Sequence, residues 1–294
     1  MHLRPDYRKI AAIYADGRSG ERILAHYQLE RRLADELRTS TRQQRESGLY
    51  NDLYDTLVGE LPDHPRRTGD TEAARARKRR YCERQAKLIR RYTGPDDVFL
   101  DVGGGDCKVA LLMAPHVAKS IVLDVSDKLA PMAVEASNFE FVKTSGVQVP
   151  LASDSVSFIY SNQLMEHLHP EDAVEQLREL YRVLKPGGVY MCRTPNRVTG
   201  PHDVSRYFDE VAHGTHMREY CYAELDHIFR DAGFVKTRVV VAPQAHRFFG
   251  LPKKIALALE SAFARVPRPL HTAICRSRVT RALMGITMIA EKPL

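Results

Sequence analysis

Three consecutive glycines, Gly103, Gly104 and Gly105, follow a short apolar run closed by an acid, Val98-Phe99-Leu100-Asp101. Glycine admits positive φ and lets a ligand approach the backbone closely, so glycines between a strand and a helix suit a bound nucleotide. The segment from about Lys108 to Met113 reads as that helix. Its N-terminus offers unpaired N–H groups and a partial positive charge. A second acid, Asp124, closes the next apolar run, Ser120 to Leu123, roughly 20 residues after the glycines, where a carboxylate can accept two hydrogen bonds from the cis-diol of a ribose. A plain tight turn would explain the glycines but not the acid at that distance. A second group of residues could move protons. Glu166 and His167 follow a later apolar run, and His202, His213, His216 and Tyr220 share a loop further on. Histidine can serve as a base near neutral pH, although one placed in a loop can also cap it. His213, His216 and Cys221 show no recurring ligand spacing, so no metal is expected.

The elements that must position these residues are legible as short apolar runs alternating with amphipathic stretches, the pattern of an α/β domain. After the strands ending at Asp101 and Asp124 come Phe139–Lys143, Val156–Ser161, Val189–Arg193, Val235–Val241 and Ile286–Ala290. Pro170, Glu171 and Asp172 open a helix with proline in the first turn and acids at its positive end. Its stripe of Ala173, Val174, Leu177, Leu180, Tyr181 and Leu184 is core, and Lys185-Pro186-Gly187-Gly188 stops it. Another helix covers Glu224 to Ala232 before Gly233. Residues 1–92 read as a helical extension. It has apolar faces at Tyr7/Ile10/Ala11/Tyr14, at Ile23/Tyr27/Ala34/Leu37 and at Leu49/Leu53/Leu57, a linker at Pro62–Gly69 and a long basic helix over Thr71–Tyr92. Residues 93–294 form the second unit. Within it, 243–284 is an insertion that carries an apolar-basic helix over Ile255–Ala264, interrupted by Glu260.

Asp101-x-Gly103-x-Gly105-x-Cys107 resembles motif I of the class I S-adenosylmethionine-dependent methyltransferases. Cys107 stands where a third glycine or small residue is often found. Glu166-His167-Leu168 after a strand and Leu184-Lys185-Pro186-Gly187-Gly188 before the next one resemble the same family, its small-molecule branch in particular. The resemblance covers residues 93–242 and the last strand. It implies a seven-stranded, doubly wound Rossmann-like sheet and S-adenosyl-L-methionine as cofactor. Asp101, Gly103, Gly105 and Asp124 would hold that cofactor, with Ser145, Gly146 and Asn162 behind them. The family's usual acids near Ser145 and Ser157 are serines here, so adenine recognition would lean on backbone groups around Gly146. The loop with His202, His216 and Tyr220, together with His167, would face the methyl acceptor. The implied reaction is in-line methyl transfer to a small-molecule, saccharide or lipid-like acceptor.

Composition narrows the partners. The 294 residues are 44% hydrophobic and 28% charged, which is a globular balance. The net charge of +7 is concentrated between Arg66 and Arg91 and after Gln244. Such stretches can meet anionic lipid or nucleic acid. Nucleic acid is disfavoured because no regular aromatic series interleaves the basic residues; peripheral membrane contact through the basic helices stays open. Five scattered cysteines without a C-x-x-C pair fit a reducing cytoplasm. The N-terminus lacks a signal-peptide core, and no apolar run approaches the ~20 residues of a membrane span. Two other readings stand beside the enzyme: a catalytically silent methyltransferase-like module that binds a partner through the basic helix, and an NAD-dependent oxidoreductase, against which the absent third glycine and Leu-Lys-Pro-Gly-Gly both speak.

Overall fold

A computed structural model describes the chain except residues 1, 15, 62–71, 132–133, 245–246, 268–269, 271–273, 275–276, 278–279 and 281–283. The expected linker at 62–69 lies outside the described residues. At the centre is one sheet whose first four strands are β1 (Val98–Val102), β2 (Lys119–Asp124), β3 (Phe139–Lys143) and β4 (Val156–Asn162). They are followed by β5 (Leu184–Thr194), β6 (Lys236–Gln244), β7 (Arg247–Leu251) and β8 (Ile286–Glu291). The strand order is β3-β2-β1-β4-β5-β8-β6-β7. Strands β3 to β5 run parallel, and β8 lies antiparallel between β5 and β6. Among the described residues the sheet therefore has eight strands, not the expected seven. The extra strand, β7, opens the insertion that the sequence reads as helical. It pairs antiparallel with β6, so the chain hydrogen-bonds back on the sheet edge before its helix begins.

The apolar runs are strands because both faces of the sheet are buried. Leu100, Ile121 and Ile159 face a core shared with α7 (Pro170–Val183) and α8 (Tyr222–Asp231). Their neighbours Phe99, Val122 and Phe158 face the opposite core, with α5 (Glu72–Ile89) and α6 (Lys108–Met113). Period-two alternation thus feeds two helical layers. The Lys185–Gly188 segment is a bulge inside β5, not only a helix stop. The register jumps from Val156↔Leu184 to Phe158↔Val189. Gly187 takes φ +74°, and a Cβ on Gly188 would lie 2.7 Å from the Leu184 side chain.

The extension adds α1 (Tyr7–Tyr14), α2 (Gly20–Thr39), a short α3 (Arg42–Gln44) and α4 (Tyr50–Glu60). Ile10, Ile23 and Tyr27 pack on Val204 and Tyr207 of the loop after β5. Leu29 and Leu33 of α2 pack on Leu57 of α4. These helices therefore lie over the carboxyl ends of the parallel strands. The insertion's helix, α9 (Lys253–Ala264), is tied down by the residue that interrupts its apolar pattern. Buried Glu260 accepts hydrogen bonds from the Tyr222 and Ala223 amides, 2.8 and 3.3 Å away, and from Asn196 Nδ2 at 2.9 Å. It supplies acceptors to the first-turn N–H groups of α8.

Candidate active site

The parallel order reverses between β1 and β4, the place where open α/β sheets bind ligands. A cavity of about 1020 Å³ opens there, at the upper end of the ~300–1,000 Å³ of ligand pockets. On its sheet side, Gly103 and Gly105 take φ +70° and +52°, and Cys107 takes +59°. A Cβ on Gly104 would approach Val122 Cγ1 to 2.8 Å and the Asp101 carboxyl to 3.2 Å, whereas one on Gly105 would enter open space. The loop accordingly presents backbone, not side chains, to the cavity. Gly105 N–H donates to Asp124 Oδ2 at 2.8 Å, and Ser126 N–H donates to Asp124 Oδ1 at 3.1 Å. These two bonds fix the carboxylate at the end of β2 on the cavity wall.

Asp101 is buried on the same wall. Burial, reinforced by the charges of Asp124 and Asp106, pushes its carboxyl well above the ordinary range. Burial together with Asp101 also drives the Cys107 thiol up to about 12, so this cysteine is a small packing residue and not a nucleophile. Asn162 lines the cavity with its Oδ1 accepting from Tyr81 of α5 at 2.9 Å, and Arg193 donates to the same tyrosine oxygen at 2.8 Å. Gly146 takes φ +114°, and the Tyr50 ring lies 2.8 Å from where its Cβ would stand. Ser145 is half-buried beside it but is not on the cavity wall, which Thr144 and Gly146 form. Ser157 sits at the other end of the strands, where its hydroxyl accepts from Val98 N–H at 3.2 Å. Its departure from the family pattern is therefore remote from the site.

The far end of the cavity is polar and joins three segments: the turn Met165–His167, the loop 202–217 and the extension. His167 Nδ1 bonds the Thr215 carbonyl at 3.1 Å, and its ring meets His216 edge-on at 4.8 Å between centroids. His216 Nδ1 bonds Glu219 Oε1 at 2.7 Å, and that oxygen also accepts from the His202 amide at 2.7 Å. Burial alone would depress His216, but the hydrogen bond to Glu219 and the charges of Glu166, Asp203 and Glu219 leave it above its usual value. Burial holds His202 down at about 4, so it stays neutral. Its Nε2 bonds the Asn196 carbonyl at 3.1 Å.

From the extension, His26 Nε2 pairs with Glu30 Oε1 at 2.8 Å, and Glu30 Oε2 accepts from Thr215 N–H at 3.2 Å. Arg18 bridges Asp16 and His26, and Tyr207 donates to Asp16 at 2.8 Å. Of the residues expected to face the acceptor, His167, His202 and His216 come together. Tyr220 does not join them: it is buried with Arg218 over its ring, and its backbone bridges to Asn196. Asp16, Arg18, His26 and Glu30 are not identifiable from sequence as site residues. The one available signal is a histidine and a glutamate four residues apart within the apolar face of a helix.

Residues 100–192 match the family model described as "Methyltransferase domain". Over that segment, which holds the glycine turn, Glu166-His167-Leu168 and Lys185–Gly188, the chain is similar to the S-adenosylmethionine-dependent methyltransferases. A protein of Mycolicibacterium smegmatis named probable S-adenosylmethionine-dependent methyltransferase is 32% identical over 149 residues, half of this chain and 55% of that protein. A Mycobacterium tuberculosis protein named in the same way is 31% identical over 150 residues, 51% of this chain and 52% of its own length. The chain thus spans about half the length of the curated relatives it matches. Two solved structures share the methyltransferase fold. The Haloferax volcanii methyltransferase in complex with the Trm112 activator aligns over 74% of this chain and 91% of its own, with TM-score 0.53 and 18% identity. Haemonchus contortus phosphoethanolamine N-methyltransferase 1 aligns over 87% of this chain and 50% of its own, with TM-score 0.55 and 14% identity. Among the described residues, no helix is long and apolar enough to cross a membrane.

Proposed function

We propose that this protein transfers the methyl group of S-adenosyl-L-methionine, in line, to a small-molecule, saccharide or lipid-like acceptor bound beneath its N-terminal helices. The observation that carries this reading is the glycine turn with Gly105 N–H on Asp124, opening at the sheet's switch point into a cavity with a separate polar end. The residues present fit the cofactor. Gly103 and Gly105 keep the wall open, Asp124 can accept from ribose hydroxyls, and Asp101 can face the cationic amino-acid end. The cofactor supplies a methyl already activated on a sulfonium. The protein's task is then alignment, which can contribute ~7–11 kcal/mol of barrier reduction. Tyr81 holds Asn162 toward the cofactor side, and Tyr50 covers Gly146. His167, His202 and His216 face the acceptor, and Tyr220 packs in the core behind them. The enclosing wall of Leu33, Leu37, Leu53 and Leu57 suits an acceptor with an apolar part. Ile255 and Leu259 are exposed on α9 beside Lys254, which favours contact with a lipid-like compound or a membrane surface.

Titration of the full chain with S-adenosylhomocysteine, followed by an acceptor screen for product formation, tests this reading. Binding that Asp124→Ala weakens at least 30-fold supports it. Absence of binding at millimolar ligand overturns it in favour of a silent binding module.

A further inference from the structure

Two histidines of the cavity wall, His167 and His216, stand beside a carboxylate, Glu166, buried just behind that wall. Glu166 and His167 stand on the turn after β4, and His216 reaches them from the loop after β5. One ligating atom from each lies within 4.8 Å of the other two. Each of the three is oriented from behind. His216 Nδ1 bonds Glu219 Oε1 at 2.7 Å, His167 Nδ1 bonds the Thr215 carbonyl at 3.1 Å, and Glu166 Oε2 accepts from Thr194 Oγ1 at 2.9 Å. A carbonyl can only accept, so the His167 proton sits on Nδ1 and the lone pair on Nε2. Imidazoles held through one nitrogen by a carboxylate or carbonyl are the usual arrangement of metal ligands. Glu166 and His216 are buried, whereas His167 is partly exposed to the cavity, the side from which a ligand would enter.

We propose that Glu166, His167 and His216 bind one divalent transition-metal ion, and that the acceptor is a hydroxyl compound whose oxygen takes an open position on it. This rests on the methyltransferase reading only for the second half. Two imidazoles and one carboxylate suit Zn²⁺, Co²⁺, Mn²⁺ or Fe²⁺ rather than Mg²⁺ or Ca²⁺, which take oxygen ligands. Three protein ligands leave room for substrate. Bonds of about 2.1 Å in a tetrahedral array place ligand atoms about 3.4 Å apart, so the side chains need to close by at most about 1.4 Å from the 4.8 Å spread. The ion lowers the pKa of the hydroxyl bound to it, as it does for water, and the hydroxyl proton passes to solvent. The oxygen lone pair then forms the C–O bond as the S–CH₃ bond breaks. That electron pair stays on sulfur, so R–OH plus the sulfonium gives R–O–CH₃, the neutral thioether and one proton.

The test is titration of the EDTA-treated full-length protein with Co²⁺, read by visible absorption, and then with Zn²⁺ in competition. S-adenosylhomocysteine affinity is measured on the same samples. One Co²⁺ per chain is expected. Glu166→Gln and His216→Ala should weaken it at least 100-fold, and Glu219→Gln, which orients His216 without belonging to the three ligands, 10–100-fold. S-adenosylhomocysteine affinity should stay within about threefold, which also certifies that the variants fold. A protein that binds S-adenosylhomocysteine but gives no cobalt spectrum at millimolar Co²⁺ overturns the metal site, as does binding equal in wild type and Glu219→Gln. Cobalt binding without S-adenosylhomocysteine binding leaves the metal site standing and overturns the methyltransferase reading.

Discussion

Replacing Arg45 should show how firmly the N-terminal helices are held over the cavity. Arg45 opens the short π-helical segment Arg45–Leu49 between α3 and α4, and it meets Asp172 in the first turn of α7 as a two-pronged pair. Nε and Nη2 stand 2.7 and 3.0 Å from the two carboxylate oxygens, and both side chains are 3% exposed. Nη1 donates to the Ser40 carbonyl at 2.9 Å. Tyr50 donates to the same Asp172 at 2.7 Å, and its hydroxyl accepts from His169 N–H at 2.9 Å. Arg45→Ala strands a buried carboxylate with the Tyr50 hydroxyl as its remaining side-chain donor, a change worth roughly 3–5 kcal/mol. At ~2 °C per kcal/mol for a chain of this size, Tm should fall by roughly 6–10 °C. A cycle of Arg45→Met, Asp172→Leu and the pair isolates the interaction. The double variant should recover most of the loss, because an apolar pair of similar volume removes both charges together. The assays are urea and thermal denaturation, with S-adenosylhomocysteine titration alongside. Tyr50 and its neighbours on α4 line the cavity, so acceptor turnover in Arg45→Ala should fall further than cofactor affinity. A single-variant loss under about 1 kcal/mol, or a coupling under about 0.5 kcal/mol, would refute the claim that this pair clamps the extension in place.

Three further outcomes follow from the site. Asp101 has a folded-state pKa above its unfolded one, so its contribution to stability is lost as pH rises through the folded value; Asp101→Asn should therefore raise Tm at pH 7–8 but not near pH 3, while weakening S-adenosylhomocysteine binding, both read by titration and thermal scans. His202 is neutral when folded, held at about 4 against 6.5 when unfolded, so stability present above pH 6.5 is lost as pH falls toward 4. His202→Gln should flatten that part of the stability–pH curve by roughly 3 kcal/mol, and an unchanged curve counts against the assignment. Gly105→Val places a branched side chain at φ +52° and into open cavity space; about 1–2 kcal/mol of stability should be lost, with at least a 100-fold loss of S-adenosylhomocysteine affinity, and a dissociation constant within threefold of wild type would show that the ligand lies elsewhere.

What the sequence determined by itself is the glycine-turn wall of the cavity. Val98–Leu100 and Ser120–Leu123 are continuous apolar runs because their strands are buried on both faces, and that demand is met by neighbouring residues. Gly103, Gly105 and Asp124 are equally local, since positive φ and a strand-end carboxylate are requirements on single positions. The polar far end of the cavity needed the tertiary structure. Thr215 meets Glu30 across 185 residues, and Asp172 meets Arg45 across 127. No periodicity encodes which helix packs on which loop. Tyr220 reads like a pocket residue in sequence yet is turned into the core, and the pattern around Glu260 looks broken until α8 is seen above it. The same holds for the extra strand β7, whose existence depends on an edge of β6 left open for pairing. Glu166 and His167 are adjacent in the chain, but only the packing of the 202–217 loop against the turn after β4 brings His216 to them. Side-chain convergence is a property of how elements pack, whereas backbone conformation and burial on both faces can be specified residue by residue.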